Sequence, residues 1–376
     1  MQRGTDFDVL IVGGGPAGSA CATLLARSGA RAAIVEASNF ARFRIGETLE
    51  ASISSVLACL GISLNGVADW GLQSDGVASV WKDSTIQSRP SILNPHGRGW
   101  CVDRRAFDRA LFENAGAAGV SLFRNSRLRG VDRRAGRWHF SIVSGQAALP
   151  ATAPIVVEAT GRTSKSQFST HGSRLWLDRL VGLAILCDDT SSFRPSSSAL
   201  VESAQHGWWY SVFLPGDKGL AIFFTDADLL PPGRSNIAAF LKTQLYMSYQ
   251  TRERCPFLED QLNMHCWKTF DARSSIRKIA ISQGCVAAGD ALMALDPLCG
   301  RGVVAALNSG VEIAQWLIGG QPDFRTIPVW MQQATARFND YLEQRLRIYG
   351  VPQNWADAVF WRRRQSSARI DHRRLE

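Results

Sequence analysis

The sequence predicts an α/β fold in which a Rossmann-type domain is interrupted by a mostly antiparallel β-sheet and followed by a C-terminal helical segment. Three observations support this prediction. A short β-branched strand near the amino terminus runs into a glycine-rich turn and a helix. Strand-like segments with hairpin spacing fill the middle of the chain, and apolar residues at helical spacing return from about residue 325.

The amino-terminal stretch "VLIVGGGPAGSACATLLARSGARAAIVE" is the most informative part of the sequence. Val9 to Val12 form a predicted parallel strand, and a helix follows the GxGxxG pattern. Gly13 permits the tight turn, Gly15 lets backbone amides approach a pyrophosphate, and Gly18 allows close packing of helix on strand. Glu36 ends the next strand and can bond a ribose diol. The complete context predicts a site for a dinucleotide that contains ADP.

The middle of the chain predicts the inserted sheet. "SALVESA", "GWWYSVFLP" and "KGLAIFFTD" have strand patterns, and "GDKG" is typical of a hairpin turn. Alternation along the second strand places Trp208 and Tyr210 on one face and Trp209 on the other. We predict that these three residues shape a substrate pocket, with an ordinary core strand as the alternative.

The domain organisation follows from these elements. The dinucleotide-binding domain is predicted to be discontinuous, over residues 1–80, 98–175 and 272–320. The substrate domain comprises residues 81–97 and 176–271, and residues 321–376 form the C-terminal helical segment with a basic tail.

Composition narrows the function classes. The 376 residues are 45% hydrophobic and 20% charged, as in an ordinary globular protein, and no apolar run reaches the roughly 20 residues of a membrane span. The start lacks the form of a signal peptide, so we expect a cytoplasmic protein. Neither the eight cysteines nor the six histidines cluster at ligand spacing, which predicts no metal site.

Arginine dominates the formal charge of +9, and six arginines fall in the last fifteen residues. The first interpretation of this tail is a solvated or frayed end, and the second is a surface that docks an acidic partner. No nucleic-acid-binding motif accompanies the charge, so nucleic acid is not an expected partner.

Three segments carry a family resemblance: "RFRIGETLEA" (42–51), "GWCVDRRAFDRALFENA" (99–115) and "GDALMALDPLCGRG" (289–302). They resemble flavoprotein monooxygenases with the p-hydroxybenzoate-hydroxylase fold, and more closely the tryptophan-halogenase-like branch. Within that branch the likeness is nearest to flavoproteins that mature quinone-cofactor oxidases, of the lysine ε-oxidase and glycine oxidase maturase types. The resemblance covers roughly residues 6 to 310 and implies FAD as the cofactor.

The resemblance also implies cofactor contacts. Arg44 and Arg104 are expected at the FAD phosphates or the flavin edge, and Asp290 at the ribityl chain or the pyrophosphate. The residues expected to line the flavin ring are Pro297, Gly300, Arg301, Gly302 and Val303. Apolar spacing independently predicts a helix from about Gly302, whose free amides would face the ring.

The implied reaction is hydroxylation of an aromatic ring through a flavin C4a-hydroperoxide, and one candidate substrate is a tryptophan side chain of a partner protein. Single-component hydroxylases carry an Asp-Gly motif where this chain has Ala159-Thr160-Gly161, so a separate flavin reductase is the expected electron donor. Halogenation is the first alternative, although Cys299 stands where that branch has a glutamate, and Gly300 and Arg301 stand where its residues cradle halide. A geranylgeranyl-reductase-like flavin reductase and a non-enzymatic flavin-binding scaffold are the others.

Two residues are candidate catalytic groups. Glu47 follows the "RFRIG" motif and is expected near the ring; the alternative is an acid in the first turn of a helix. Lys82 lies at about the distance from "GETLE" that a halogenase lysine would have, and its alternative is an exposed lysine on a sheet edge.

Overall fold

The computed structural model describes residues 5–63, 70–91, 94, 97–162, 168, 174–192, 196–277, 281–320, 322, 324, 329–350 and 353–365. The predicted basic tail therefore lies outside the described residues from residue 366 onwards. The helices are α1 (Pro16–Arg27), α2 (Ile53–Cys59), α3 (Arg104–Ala117), α4 (Arg234–Tyr246), α5 (Tyr249–Arg254), α6 (Phe257–Asn263), α7 (Gly302–Ile318), α8 (Val329–Tyr349) and α9 (Val359–Gln365).

The strands are β1 (Thr5–Asp6), β2 (Val9–Val12), β3 (Ala32–Glu36), β4 (Thr48–Leu49), β5 (Gly71–Gln73), β6 (Gly76–Val80), β7 (Gln87–Pro90), β8 (Trp100–Val102), β9 (Ser121–Arg124), β10 (Arg127–Arg134), β11 (Arg137–Ser144), β12 (Ala147–Ala153), β13 (Ile155–Glu158), β14 (Arg174–Trp176), β15 (Leu180–Cys187), β16 (Ala199–Ala204), β17 (Gly207–Leu214), β18 (Lys218–Asp226), β19 (Lys268–Asp271), β20 (Ser275–Arg277), β21 (Ile281–Ser282), β22 (Cys285–Ala287) and β23 (Met293–Ala294). Short 3₁₀ turns lie between several of them.

The dinucleotide-binding domain is built on a six-stranded sheet with the order β21-β22-β13-β2-β3-β9. All its pairs are parallel except β21 with β22. Helix α1 follows β2 directly, as predicted, and packs so closely on α7 that a Cβ on Gly310 would fall 2.2 Å from the Ala17 carbonyl oxygen. The first turn of α1 therefore packs against the middle of α7.

The substrate domain is built on a seven-stranded sheet with the order β19-β15-β18-β17-β16-β6-β7. Its neighbours are antiparallel except for β16 and β6, which confirms the predicted antiparallel insertion. One face packs on α4, α5 and α6, and the other faces the dinucleotide-binding domain. The sheet begins at β6, ahead of the predicted boundary at residue 81, because β6 pairs with β16. The remaining domain boundaries stay a prediction.

The beginning of the arginine-rich end is folded, so the interpretation of a solvated tail is wrong for these residues. Phe360 and Trp361 of α9 are fully buried, and the Trp361 indole N–H donates to the Ala204 carbonyl at 3.0 Å. Arg364 is also buried and reaches the Asp226 carboxylate at 2.6 Å. The Phe360 and Trp361 rings pack the helix onto the sheet, and this packing also buries Arg364. The buried Asp226 carboxylate compensates the Arg364 charge.

Replacing Asp226 with alanine is expected to lower the free energy of unfolding by about 3–5 kcal/mol, because it leaves the buried Arg364 charge without its ion-pair partner. Urea denaturation measures this change. The matched control is Asp228→Ala: Asp228 pairs with Arg363 at 2.8 Å, but both side chains are more than a third exposed, so less than about 1 kcal/mol is expected. Equal losses in the two variants would contradict the structural role given to α9.

Candidate functional site

A cavity of about 720 Å³ lies between the two large sheets. Its size falls within the range of pockets that bind small molecules and cofactors. The predicted site residues that line it are Gly13, Gly15, Glu36, Arg44, Glu47, Arg104, Trp208, Tyr210, Asp290, Pro297, Gly300, Gly302 and Val303. The sequence-predicted cofactor and substrate residues are thus largely brought together in one place.

Four predicted residues do not line the cavity. Gly18 has a packing role, since a Cβ there would fall 1.9 Å from the Gly13 carbonyl oxygen. Trp209 is fully buried on the opposite face of β17, in contact with Phe223, because neighbouring strand residues point to opposite faces. Its predicted place in the substrate pocket is therefore wrong.

The other two are exposed. Lys82 lies on the surface just after β6, and the structure does not bring it to the cavity. The Arg301 side chain is 58% exposed and pairs with Glu50 at 3.6 Å, so it turns away from the flavin-lining position predicted for it. For Arg301, the position in the motif specified the backbone location but not the direction of a long, flexible side chain.

The nucleotide end of the cavity is a cradle of bare backbone. Gly13 has a φ of 108°, and a Cβ there would fall 2.3 Å from the Ala159 carbonyl oxygen, so glycine is required. Gly15 instead faces open space, and only the Arg44 guanidinium comes as near as 4.0 Å to the position that a Cβ would take. The Glu36 carboxylate is fixed beside them by accepting the Gly14 N–H at 2.7 Å and the Ser38 N–H at 2.8 Å. This arrangement leaves room for a pyrophosphate at the α1 amino terminus.

One buried carboxylate holds the two predicted arginines. Asp108, on α3, accepts from Arg44 at 2.8 Å and from Arg104 at 3.0 Å. Arg104 also donates to the Ile45 carbonyl at 2.6 Å. Sequence reasoning missed Asp108, although its i,i+4 spacing from Arg104 on a predicted helix is the signal that indicates such a pair.

Another part of the cavity lining is the turn that leads into α7. Gly300 has a φ of 65°, and a Cβ at Gly300 or Gly302 would have no heavy atom within 4 Å. The Asp290 carboxylate reaches this region from the preceding loop and accepts from Arg162 at 3.3 Å. A flat ring can therefore lie against unsubstituted backbone at a helix amino terminus, as the sequence predicted.

Glu47 is the buried acid of the cavity. It is 1% exposed, its Oε2 accepts the Gly46 N–H at 3.0 Å, and its Oε1 has no partner among the residues that the structure describes. Burial raises the pKa of Glu47 to about 7, because water no longer solvates the charged form, and the nearby Arg104 charge offsets only part of this. The alternative of a first-turn helix acid is wrong, since α2 begins at Ile53.

Aromatic side chains from the seven-stranded sheet form a wall of the cavity, here called the aromatic wall: Trp208, Phe224 and Phe270. The Trp208 and Phe224 rings stack with centroids 4.1 Å apart, and Phe270 meets Phe224 edge-on at 5.8 Å. Beside them the Tyr210 hydroxyl bonds the Thr48 hydroxyl, and burial raises the pKa of Tyr210 well above its usual value. The wall can bind a flat apolar ring by stacking.

Comparisons with known proteins agree with this geometry. Residues 6–166 match the FAD binding domain family. The protein LodB of Marinomonas mediterranea, named as an FAD-dependent oxidoreductase, is 25% identical over 370 residues, which are 97% of this chain and 99% of LodB. The protein is an FAD-dependent oxidoreductase.

Two solved structures share the fold of this oxidoreductase. The myxobacterial chondrochloren halogenase CndH superposes with a TM-score of 0.82 at 21% identity, over 98% of this chain and 88% of CndH. The peptidyl tryptophan dihydroxylase QhpG, essential for tryptophylquinone cofactor biogenesis, superposes with a TM-score of 0.79 at 23% identity, over 98% of this chain and 80% of QhpG.

The residues of this FAD-dependent oxidoreductase fit its cofactor. The open backbone at Gly15, beside the Glu36 carboxylate, suits the adenosine diphosphate half, and the open backbone at Gly300 and Gly302 suits the isoalloxazine ring. Arg162, which sequence reasoning missed, also lines the cavity. It donates to the Arg273 carbonyl at 3.0 Å and the Leu295 carbonyl at 2.9 Å. The positive charge within "ATGRT" was the only sequence signal for Arg162 as a site residue, since its hydrogen-bond partners lie more than a hundred residues away in the sequence.

The described part of the oxidoreductase contains neither a metal-binding cluster nor a membrane-spanning helix. Among the residues that the structure describes, no group of three or more His, Cys, Asp or Glu side chains is arranged to hold a metal ion. In that same part of the chain, no helix combines the length and apolarity needed to cross a membrane.

Proposed function

We propose that this oxidoreductase is a monooxygenase that hydroxylates an electron-rich aromatic ring, with a tryptophan side chain of a partner protein as the substrate that we favour. The observation that carries the proposal is the pairing, in one cavity, of the aromatic wall with the buried carboxyl group of Glu47. Reduced FAD supplies the chemistry that activates molecular oxygen. The electrons would come from a separate flavin reductase.

Each part of the cavity has a role in this proposal. Trp208 and Phe224 stack on the substrate ring and orient it. Hydroxylation of an indole or a phenol requires the ring to lose a proton, and the Glu47 carboxylate is placed inside the cavity to accept it. A carboxyl group with a pKa of about 7 accepts and releases protons readily near neutral pH.

The choice of a protein-bound tryptophan rests on two supports. QhpG, which shares the fold over almost the whole chain, is a peptidyl tryptophan dihydroxylase. The excess of positive charge also favours association with an acidic protein surface, as a substrate carried by a partner protein would require.

Halogenation is the second candidate, because CndH shares the fold. The halogenase resemblance requires a lysine at the reaction site. Lys82 is exposed outside the cavity, and none of the described residues that line the cavity is a lysine. These positions favour hydroxylation.

Mass spectrometry distinguishes the two reactions. The protein would be given chemically reduced FAD, oxygen, chloride and bromide, together with a tryptophan-containing peptide, and a peptide with phenylalanine in its place as the control. We expect the tryptophan peptide to gain one or two oxygen atoms. A gain of halogen would support the second candidate. Release of hydrogen peroxide at the same rate with either peptide, and without product, would contradict both.

A further inference from the structure

The Tyr349 hydroxyl links the aromatic wall to the turn from Asp296 to Gly300, here called the cofactor turn. The Trp208 indole N–H donates to the Tyr349 hydroxyl at 3.0 Å, and that hydroxyl donates to Asp296 Oδ2 at 3.0 Å. All three side chains are at most 1% exposed. The Trp208 N–H donates to Tyr349 and the Tyr349 O–H donates to Asp296, so both hydrogen bonds point from the aromatic wall toward the cofactor turn.

Asp296 controls the start of the cofactor turn. It directly precedes Pro297, and its Oδ1 accepts the Leu298 N–H at 3.0 Å, which fixes the turn that leads to Gly300. The same carboxylate receives Arg345 at 3.1 Å, and Arg345 in turn pairs with Asp178 at 3.0 Å. A change in the position of Asp296 would therefore move the backbone that we predict to hold the flavin ring.

The C-terminal helix α8 thus supplies part of the site. Tyr349 and Arg345 both come from its last turns, and Tyr341 accepts the Asp296 backbone N–H at 2.8 Å. The Tyr341 hydroxyl bonds the cofactor turn and Ser274, whereas the Tyr349 hydroxyl bonds the cofactor turn and Trp208. This difference separates a residue that only supports the turn from one that links the turn to the substrate wall.

We propose that Tyr349 is a positioning residue that couples occupation of the aromatic wall to FAD binding. The proposal rests on the part of the proposed function that places an aromatic ring against Trp208. A ring stacked on the wall fixes Trp208, and through Tyr349 it fixes Asp296 and the cofactor turn, so less conformational freedom remains to be lost when FAD binds. By linkage, FAD must strengthen binding of the ring by the same factor.

The test measures FAD affinity with and without a probe ring. Oxidised FAD is titrated into the apoprotein by flavin fluorescence, in the presence and absence of saturating indole. In the wild type we expect indole to lower the FAD dissociation constant at least about fivefold. Tyr349→Phe keeps the ring and removes the hydroxyl; we expect it to abolish the effect of indole and to weaken FAD binding about fivefold.

Tyr341→Phe is the matched control, because it removes another α8 hydroxyl that bonds the cofactor turn but does not bond Trp208. We expect weaker FAD binding and an unchanged effect of indole. The proposal is overturned if the wild type shows no effect of indole, if the effect survives in Tyr349→Phe, or if Tyr341→Phe loses it equally. Should Tyr349→Phe not fold, Trp208→Phe breaks the same link from the other side and must also reduce the effect.

This experiment uses oxidised FAD and no turnover. Coupling therefore remains measurable if the peptide gains no oxygen, and oxygen transfer remains measurable if the coupling is absent. The two proposals can fail separately.

Discussion

Replacing Glu47 with glutamine is expected to lower the turnover number about 100- to 10,000-fold, while the FAD dissociation constant changes only a few-fold. Glutamine preserves the size of the side chain and an acceptor for the Gly46 N–H, but it cannot accept the proton that the substrate ring must lose. Steady-state kinetics of product formation, together with FAD titration, measure the two effects. An activity within tenfold of the wild type would exclude Glu47 as the base.

The pH dependence provides a second measurement on the same residue. Because the pKa of Glu47 is raised to about 7, the ionised form that accepts a proton accumulates only as the pH rises through 7. Turnover of the wild type is therefore expected to increase with pH through this value. The residual activity of Glu47→Gln should lack that step, and a step that remains would have to come from another group.

The same shift makes a prediction about stability. The folded pKa of about 7 lies above the ordinary value of 4.5, so between these values the folded protein binds more protons than the unfolded chain does. The resulting stabilisation of the folded state, about 3 kcal/mol, is fully present below pH 4.5 and is lost as the pH rises through 7. Glu47→Gln should remove this part of the pH dependence of the free energy of unfolding.

Replacing Gly15 with aspartate is expected to weaken FAD binding at least about 100-fold with little change in stability. A carboxylate here would meet the pyrophosphate, and such a like-charge contact costs several kcal/mol. The fold should tolerate the side chain, because Gly15 has an ordinary φ of −78° and open space around its Cβ position. Flavin fluorescence titration and thermal unfolding measure the two quantities.

Two control variants separate charge, size and packing. Gly15→Asn has the same size without the charge and should weaken FAD binding about tenfold less than Gly15→Asp does. Gly18→Ala should instead destabilise the fold, since its Cβ would fall 1.9 Å from the Gly13 carbonyl oxygen. If aspartate and asparagine at position 15 weaken binding equally, the phosphate group does not lie at this turn.

The sequence could predict the nucleotide end of the site because every requirement there is local. A tight turn, a close helix–strand contact and an acid at the end of the next strand each impose a residue type within thirty positions of one another. The helix start at Gly302 and the opposite faces of Trp208 and Trp209 were predictable for the same reason, since each follows from a short period along one segment. The site residues nevertheless stay predictions until a ligand or a variant tests them.

Contacts between side chains that are far apart in the sequence could not be predicted from local patterns. Asp108 holds Arg44 from 64 positions away, and Arg162 holds Asp290 from 128 positions away. Arg301 shows the converse, since a motif placed it next to residues that line the cavity and its long side chain turned to solvent. The folded start of the arginine-rich end also required the tertiary structure, because the buried partner of Arg364 lies 138 residues earlier.

The sequence by itself determined the fold class and the position of the glycine-rich turn between β2 and α1, because these depend on local sterics and on hydrophobic spacing. Only the tertiary structure decided which charges are buried and paired, that Glu47 is desolvated, and that the Tyr349 hydroxyl of α8 bonds Asp296 at the turn before α7. The physical reason is that the electrostatic energy of a side chain depends on the dielectric and on the partners around it, and folding brings those partners from distant parts of the chain.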